Sequence, residues 1–256
     1  MPSARHSDAS PVRINKALAD AGLCSRRKAE DFVTQGRVRV NGELVTSLAH
    51  KVYPDRDHIT VNDIPLKINA PRTYVLLHKP VQVVCTVSDP EGRTTILDIL
   101  PEQWRAVRLY PVGRLDYFSE GLLLLTDDGD LAQRLAHPRF HLQKIYEVTV
   151  RGAATESALT TMRRGMTLAE GEKLAPVGVK VLPHSPRFPQ DTALQMTLRQ
   201  GLNRQIRRMC RDVGLTILRL RRVAQGPLTL GDLPVGAARS LTESELEALR
   251  KAAGLA

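Results

Sequence analysis

The feature that most restricts this chain is a block of four leucines at 122–125, closed by Thr126, Asp127, Asp128 and Gly129. A short unbroken apolar run ended by turn residues reads as a buried strand. Immediately before it, residues 113–121 read Gly-Arg-Leu-Asp-Tyr-Phe-Ser-Glu-Gly. An acidic residue, Asp116, therefore sits in a glycine-bounded loop leading into a rigid element, where reactive groups are often carried. Taken alone, Asp116 is more readily a turn-capping residue, a common task for aspartate.

The rest of the chain alternates strand and helix signals. Residues 74–77 read as a strand stopped by Lys79-Pro80, and 145–150 and 193–198 also suit strands. Helices are expected at 130–136, 155–164 and 204–213, the last capped by Asn203 and ended by Gly214. Thr242 and Glu245 form a capping box for a final packed helix. Residues 181–190, with three prolines, read as an exposed loop. The mixture implies an α+β domain over 74–250 with a largely antiparallel sheet.

Residues 12–68 read as a separate small α+β unit. Ile14, Ala17, Leu18 and Ala21 recur at helical spacing before Gly22, and Ser25 caps a second helix that Gly36 ends. Arg37-Val38-Arg39-Val40 then alternates basic and apolar residues, and Asn41-Gly42 marks a two-residue hairpin. Residues 1–11 are expected to be a disordered arm, and 69–73 a linker.

Charge narrows the function. Thirty-seven Lys and Arg against twenty-seven Asp and Glu give a net charge of +10, which favours polyanions. The basic residues cluster. Arg26, Arg27 and Lys28 start the second helix, where the backbone already favours anions, and Arg37 and Arg39 follow on the adjacent strand. Between 199 and 222 there are eight arginines and one acid, Asp212. Arg204, Arg207, Arg208 and Arg211 share one face of the predicted helix, opposite Ile206, Met209 and Cys210. Such crowding calls for a polyanion or for buried carboxylate partners. In the strand Lys144-Ile145-Tyr146, Lys144 and Tyr146 share a face, and tyrosine suits stacking on a base as well as ordinary packing. Cys24, Cys85 and Cys210 lack zinc-ligand spacing, no apolar run is long enough to span a membrane, and the polar residues 1–11 lack the apolar stretch expected of a secretory signal. A cytoplasmic protein without metal or membrane association is expected.

Two resemblances sharpen this. Residues 13–60 resemble the ribosomal-protein-S4-type RNA-binding domain through the Ile14-to-Gly22 opening, Ser25-Arg26-Arg27, and Gly36-Arg37-Val38 leading into Val40-Asn41-Gly42. Residues 74–250 resemble the RsuA/RluB/RluF-type pseudouridine synthases. The matching segments, in order, are Asp89-Pro90-Glu91-Gly92-Arg93, the run 113–126, Lys144-Ile145-Tyr146-Glu147-Val148, and Gly201-Leu202-Asn203-Arg204-Gln205-Ile206-Arg207-Arg208-Met209. Ser119 and Asp127 depart from the family's threonine and asparagine.

The resemblance implies a cofactor-free isomerase that breaks the N1–C1′ bond of a uridine, rotates the base, and rejoins it through C5. It makes Asp116 the catalytic residue, Arg207 its ion-pair partner in bidentate geometry with Arg204 as the alternative, and Tyr146 the residue that stacks on uracil. Lys144 and Arg93 are expected near substrate phosphate, and Arg114, Arg204 and Arg208 on RNA. The substrate is expected to be ribosomal RNA, free or in an assembling subunit, with the large-subunit RNA ahead of the small-subunit RNA and the enzyme a monomer. Two other readings compete: a non-catalytic RNA-binding or ribosome-assembly factor, and a hydrolase using Asp116 and Glu120 as a carboxylate pair.

Overall fold

The leucine block is the middle of a sheet covered on both faces. The computed structural model describes residues 10–67, 71–137, 142–183, 187 and 189–255, and the chain divides into two compact units between Thr73 and Tyr74. Most of the expected N-terminal arm, the first part of the expected linker, and residues 184–186 and 188 of the expected loop lie outside the described residues.

The first unit contains β1 (Val12–Arg13), α1 (Ile14–Asp20), α2 (Arg26–Thr34), β2 (Val38–Val40), β3 (Glu43–Leu44), β4 (Lys51–Val52), β5 (Ile59–Val61) and β6 (Ile64–Pro65). The Ser25 side chain accepts from the Lys28 backbone N–H, so α2 starts where its cap dictates. Asn41 and Gly42 both take positive φ, 52° and 88°, and close a two-residue hairpin in which Val40 faces Glu43. Ile14, Leu18, Ala29, Val33, Val38 and Ile59 form the small core.

The second unit runs β7 (Tyr74–Lys79), α3 (Glu102–Arg105), β8 (Tyr110–Pro111), β9 (Glu120–Thr126), α4 (Gly129–Ala136), β10 (Lys144–Val150), α5 (Glu156–Arg164), β11 (Gly178–Val181), β12 (Thr192–Leu198), α6 (Gln205–Asp212), β13 (Ile217–Gln225), β14 (Leu228–Thr229), β15 (Ala238–Ser240) and α7 (Glu243–Ala252). Its main sheet has the order β11-β12-β10-β13-β9-β7-β15, with β14 beside β13 and β8 beside β9. Every pairing in it is antiparallel except β13 with β9. The largely antiparallel α+β architecture is as expected.

On β9 the leucines divide by side. Leu122 and Leu124 pack with Leu131 and Leu135 of α4 and Leu249 of α7, while Leu123 and Leu125 pack with Ile96, Leu100, Trp104 and Leu109. With both faces covered, no polar alternation survives, and each buried leucine contributes roughly 1.5–3 kcal/mol. A second core lies beyond β13, where Leu159 and Met162 of α5 and Ile206, Met209 and Cys210 of α6 meet β10, β11 and β12.

Two details differ from the sequence reading. Helix α6 starts at Gln205 with Arg204, not Asn203, as its N-cap. Arg204 adopts the left-handed conformation (φ 49°) and its side chain makes no capping hydrogen bond, so the chain turns sharply into the helix there. The expected loop at 181–190 starts one residue late, because Gly178–Val181 pairs with β12.

Strand β13 has no counterpart in the sequence expectation. Its approach to β9 depends on Gly121. There φ is +114°, and a Cβ would lie 2.2 Å from the Arg222 carbonyl oxygen and 2.6 Å from its nitrogen. Only glycine permits so close a backbone contact. Since Gly121 follows the Asp116 loop, this contact anchors the loop's C-terminal end to the sheet centre.

Candidate active site

The loop at 113–119, the start of β10, the turn into α6 and the end of β13 enclose a cleft of about 1020 Å³. Asp116, Arg114, Arg93, Lys144, Tyr146, Arg204 and Arg207 all line it. Segments far apart in the sequence thus converge on one site, at the upper end of the size range of small-ligand pockets.

Asp116 is held from several directions. Arg207 Nε lies 3.0 Å from Oδ2, and Arg204 Nη1 lies 3.7 Å from the same oxygen. Ser119 Oγ donates to Oδ1 at 2.6 Å. The expected bidentate fork is absent. Arg207 gives one nitrogen to the carboxylate and turns Nη2 to the Phe118 carbonyl at 2.7 Å and to Ser119 Oγ at 3.1 Å. The guanidinium therefore ties the carboxylate to its own loop, fixing both, and leaves Oδ1 to the serine. The Asp116 side chain remains 21 % exposed, open to the cleft and restrained in direction.

Lys79, which the sequence presents only as a strand stop, proves to be fully buried beneath the loop. Its ammonium donates to the carbonyls of Pro80 (2.8 Å), Ser119 (2.8 Å) and Asp116 (3.3 Å). Burial pushes its pKa down, while Cys85, Asp116 and Glu120 act in the opposite direction. Cys85 Sγ accepts from the Leu115 backbone N–H at 3.3 Å, and burial raises its pKa. The loop bearing Asp116 is thus fastened by Lys79 below, Arg207 across, and Cys85 at its start.

The arginine-rich segment resolves mainly into carboxylate pairs. Arg204 and Arg207 meet Asp116; Arg208 meets Glu170 and Glu172; Arg211 meets Glu170 and Asp212; Arg219 meets Glu120; and Arg221 meets Glu147. Arg208 is absent from the cleft lining and only 16 % exposed, so the structure does not bring it to the site. Glu120 is likewise buried, paired with Arg219 and absent from the lining, so no Asp116–Glu120 pair faces the cleft. Arg93 reaches the lining while bound through two nitrogens to Asp89, whose carboxyl the contact holds below the usual range. Cys210 is buried on α6 and its thiol pKa is pushed up to about 12, as suits a core side chain. Among the described residues no group of three or more His, Cys, Asp or Glu could hold a metal ion, and no helix is long and apolar enough to cross a membrane.

In the first unit, Arg26, Arg27, Lys28 and Arg39 are exposed. Arg37 lies over the Phe32 ring at 4.4 Å and donates to Asn62 at 2.7 Å. Stacking fixes its guanidinium at the surface of this unit.

Residues 73–212 match the RNA pseudouridylate synthase family, and residues 12–58 match the S4 domain. The chain is 41 % identical over 248 residues to an uncharacterised RNA pseudouridine synthase of Aquifex aeolicus, covering 95 % of this chain and 96 % of that one. It is 40 % identical over 241 residues to ribosomal large subunit pseudouridine synthase B of Bacillus subtilis, covering 93 % and 95 %. A crystal structure of a pseudouridylate synthase superposes with a TM-score of 0.65 at 29 % identity, over 93 % of this chain and 99 % of that one. An aspartate steered by arginine in a basic cleft is thus set in a chain that also carries an S4 domain and belongs to the RNA pseudouridylate synthase family of isomerases.

Proposed function

We propose that this protein converts a uridine of large-subunit ribosomal RNA to pseudouridine, with the Asp116 carboxylate acting on the ribose of the target nucleotide. The observation that carries the reading is the fixed carboxylate. Asp116 is aimed by Arg207 and Ser119 into a cleft that also holds Tyr146 and Lys144. Covalent attack at C1′ and removal of a ribose proton both need an oriented carboxylate, and the contacts from Arg207 and Ser119 supply that orientation.

The remaining roles follow from position. Tyr146 supplies a stacking face for the uracil. Arg93, Arg114 and Arg204 provide positive charge for flanking phosphates around a nucleotide turned out of its helix or loop, and Lys144 adds a cation at the cleft wall. The exposed Arg26, Arg27, Lys28 and Arg39, with Arg37, give the S4 domain a phosphate-binding surface that raises the effective concentration of RNA at the catalytic domain. Arg208, engaged with two glutamates, serves the fold of α6. The choice of RNA rests on the relatives named as large-subunit synthases. The enzyme acts as a monomer in the cytoplasm.

The test is tritium release from rRNA transcribed with [5-³H]uridine, since each isomerisation frees the C5 hydrogen. Purified protein should release tritium from large-subunit RNA and leave small-subunit RNA unchanged, and Asp116→Asn should release none. Liberation of free uracil would instead mark a hydrolase, and no release from either RNA would favour a binding factor.

A further inference from the structure

Where β10 and β13 pair beside the cleft, the register slips. Ile145 faces Ala224 while Tyr146 faces Arg222, so Val223 is bulged out of the ladder. In a regular strand Arg222 and Gln225, three residues apart, would point to opposite faces. The bulge brings both to one face. Gln225 stands across from Lys144, Arg222 stands across from Tyr146, and all four line the cleft.

Arg222 is 1 % exposed and Gln225 4 %. Arg222 Nε donates to the Leu122 carbonyl at 2.8 Å, yet its Nη2 has no hydrogen-bond partner among the described residues, and neither has Gln225 Oε1. Lys144 is partly desolvated beside Arg222 with no acidic group acting on it. Buried polar atoms are normally satisfied, so an orphan acceptor beside two uncompensated cations on a cleft wall marks a surface completed by a ligand.

That ligand must donate one hydrogen bond as well as accept others. A phosphodiester accepts from Arg222 and Lys144 and has no proton for Gln225. Uracil has the required pattern: an N3–H flanked by two carbonyl oxygens, O2 and O4. Cytosine lacks the N3 proton. We propose that Gln225 Oε1 accepts from N3–H of the target uracil while Arg222 and Lys144 donate to its carbonyl oxygens, making this bulged strand pair the element that selects the base.

The proposal rests on the uridine-isomerising role given to the Asp116 cleft, and it adds a chemical consequence. When N1–C1′ breaks, its electron pair leaves with the base, and the negative charge spreads over O2 and O4. When C5 bonds to C1′, the C5 proton is lost and N1 takes one up, so composition is unchanged. Fixed cations at the carbonyls stabilise the detached anion. Exchanging N1 for C5 is a half-turn about the ring axis through N3 and C6. That rotation swaps O2 with O4 and leaves N3–H in place, so Gln225 keeps its grip while Arg222 and Lys144 meet equivalent oxygens before and after.

The test uses full-length protein and a synthetic hairpin carrying the target uridine, alongside the same hairpin with 3-deazauridine there, in which C–H replaces N3–H and C4 carries a hydroxyl in place of the carbonyl. Affinities are measured in an Asp116→Asn background, with Gln225 present or changed to Leu, or to Met should the leucine variant not fold. The deaza substitution should weaken binding about tenfold more when Gln225 is present than in the Gln225→Leu or Gln225→Met protein, where only the change at C4 is felt. An equal penalty in both backgrounds overturns the proposal while leaving the Asp116 reading intact. Failure of unsubstituted protein to modify the uridine hairpin overturns both. Arg222→Met should lower the single-turnover rate at least a hundredfold and by a clearly larger factor than it lowers hairpin affinity, because the charge it faces grows when the base detaches; matched losses of rate and affinity would count against charge stabilisation.

Discussion

Replacing Arg207 with alanine removes three contacts at once: the 3.0 Å bond to Asp116 and the bonds to the Phe118 carbonyl and Ser119 hydroxyl. The first is charge-assisted and worth roughly 1.5–3 kcal/mol, and the other two contribute roughly 0.5–1.5 kcal/mol each. Because they act through one loop they do not add fully, and a loss of about 3–4 kcal/mol is expected. Expressed in the transition state, that is a rate reduction of a few hundredfold. Arg204 offers a direct comparison. It is 46 % exposed and sits 3.7 Å from the same carboxylate, a contact worth about 0.2–1 kcal/mol, so Arg204→Ala should cost no more than about fivefold through Asp116. Arg207→Lys should remain impaired, because one ammonium cannot reproduce the planar geometry that reaches carboxylate, carbonyl and hydroxyl together. The assay is single-turnover pseudouridine formation at saturating enzyme, with thermal melting to confirm that each variant is folded. A loss below tenfold for Arg207→Ala, or a larger loss for Arg204→Ala, would refute the assignment of Arg207 as the residue that aims Asp116.

Gly121→Ala should destabilise the catalytic domain by about 3 kcal/mol, through the Arg222 backbone clash and the positive φ, lowering Tm by roughly 6–12 °C; a shift within 2 °C would mean the parallel contact is not needed. Hydrogen bonds from Arg239 hold the Glu245 carboxyl down to about 2, so its stabilising contribution is complete above the ordinary carboxylate pKa and is lost as pH falls from there toward 2. Urea unfolding should show a shallower acid dependence in Glu245→Gln than in the unsubstituted protein, and identical slopes would contradict the linkage. Lys144→Met should raise Tm by a few degrees in the absence of RNA, since it removes a partly buried cation with no acidic neighbour, while lowering turnover; a lower Tm would show that the lysine stabilises the fold.

The local elements were legible because local chemistry specifies them. Ser25, Asn41-Gly42 and the Thr242–Glu245 capping box each act within four residues, and each appears as read. The four leucines exclude an exposed face by themselves. Asp116, Arg207, Tyr146 and Lys144 were reachable because their segments carry a family pattern, and the fold brings them to one cleft. What the sequence concealed are the long-range partners. Strand β13 escapes notice because Arg219, Arg221 and Arg222 imitate a nucleic-acid surface, whereas Arg219 and Arg221 neutralise Glu120 and Glu147 on neighbouring strands. Lys79 beside a proline looks like the end of a strand, and only burial reveals that it holds three carbonyls. The bulge at Val223 has no composition signal, since it arises from pairing register. The ion pairs of Arg208 are hidden for a related reason: its glutamates lie more than thirty positions away.

The role proposed for Asp116 is isomerisation at one uridine of large-subunit rRNA. It is tested most directly by deleting the gene in its host and mapping pseudouridines across both rRNAs by carbodiimide labelling and primer extension, with complementation by unsubstituted protein and by Asp116→Asn. One large-subunit site should disappear on deletion, return with the unsubstituted protein, and stay absent with Asp116→Asn. Restoration of the site by Asp116→Asn, or persistence of every pseudouridine in the deletion strain, would contradict it.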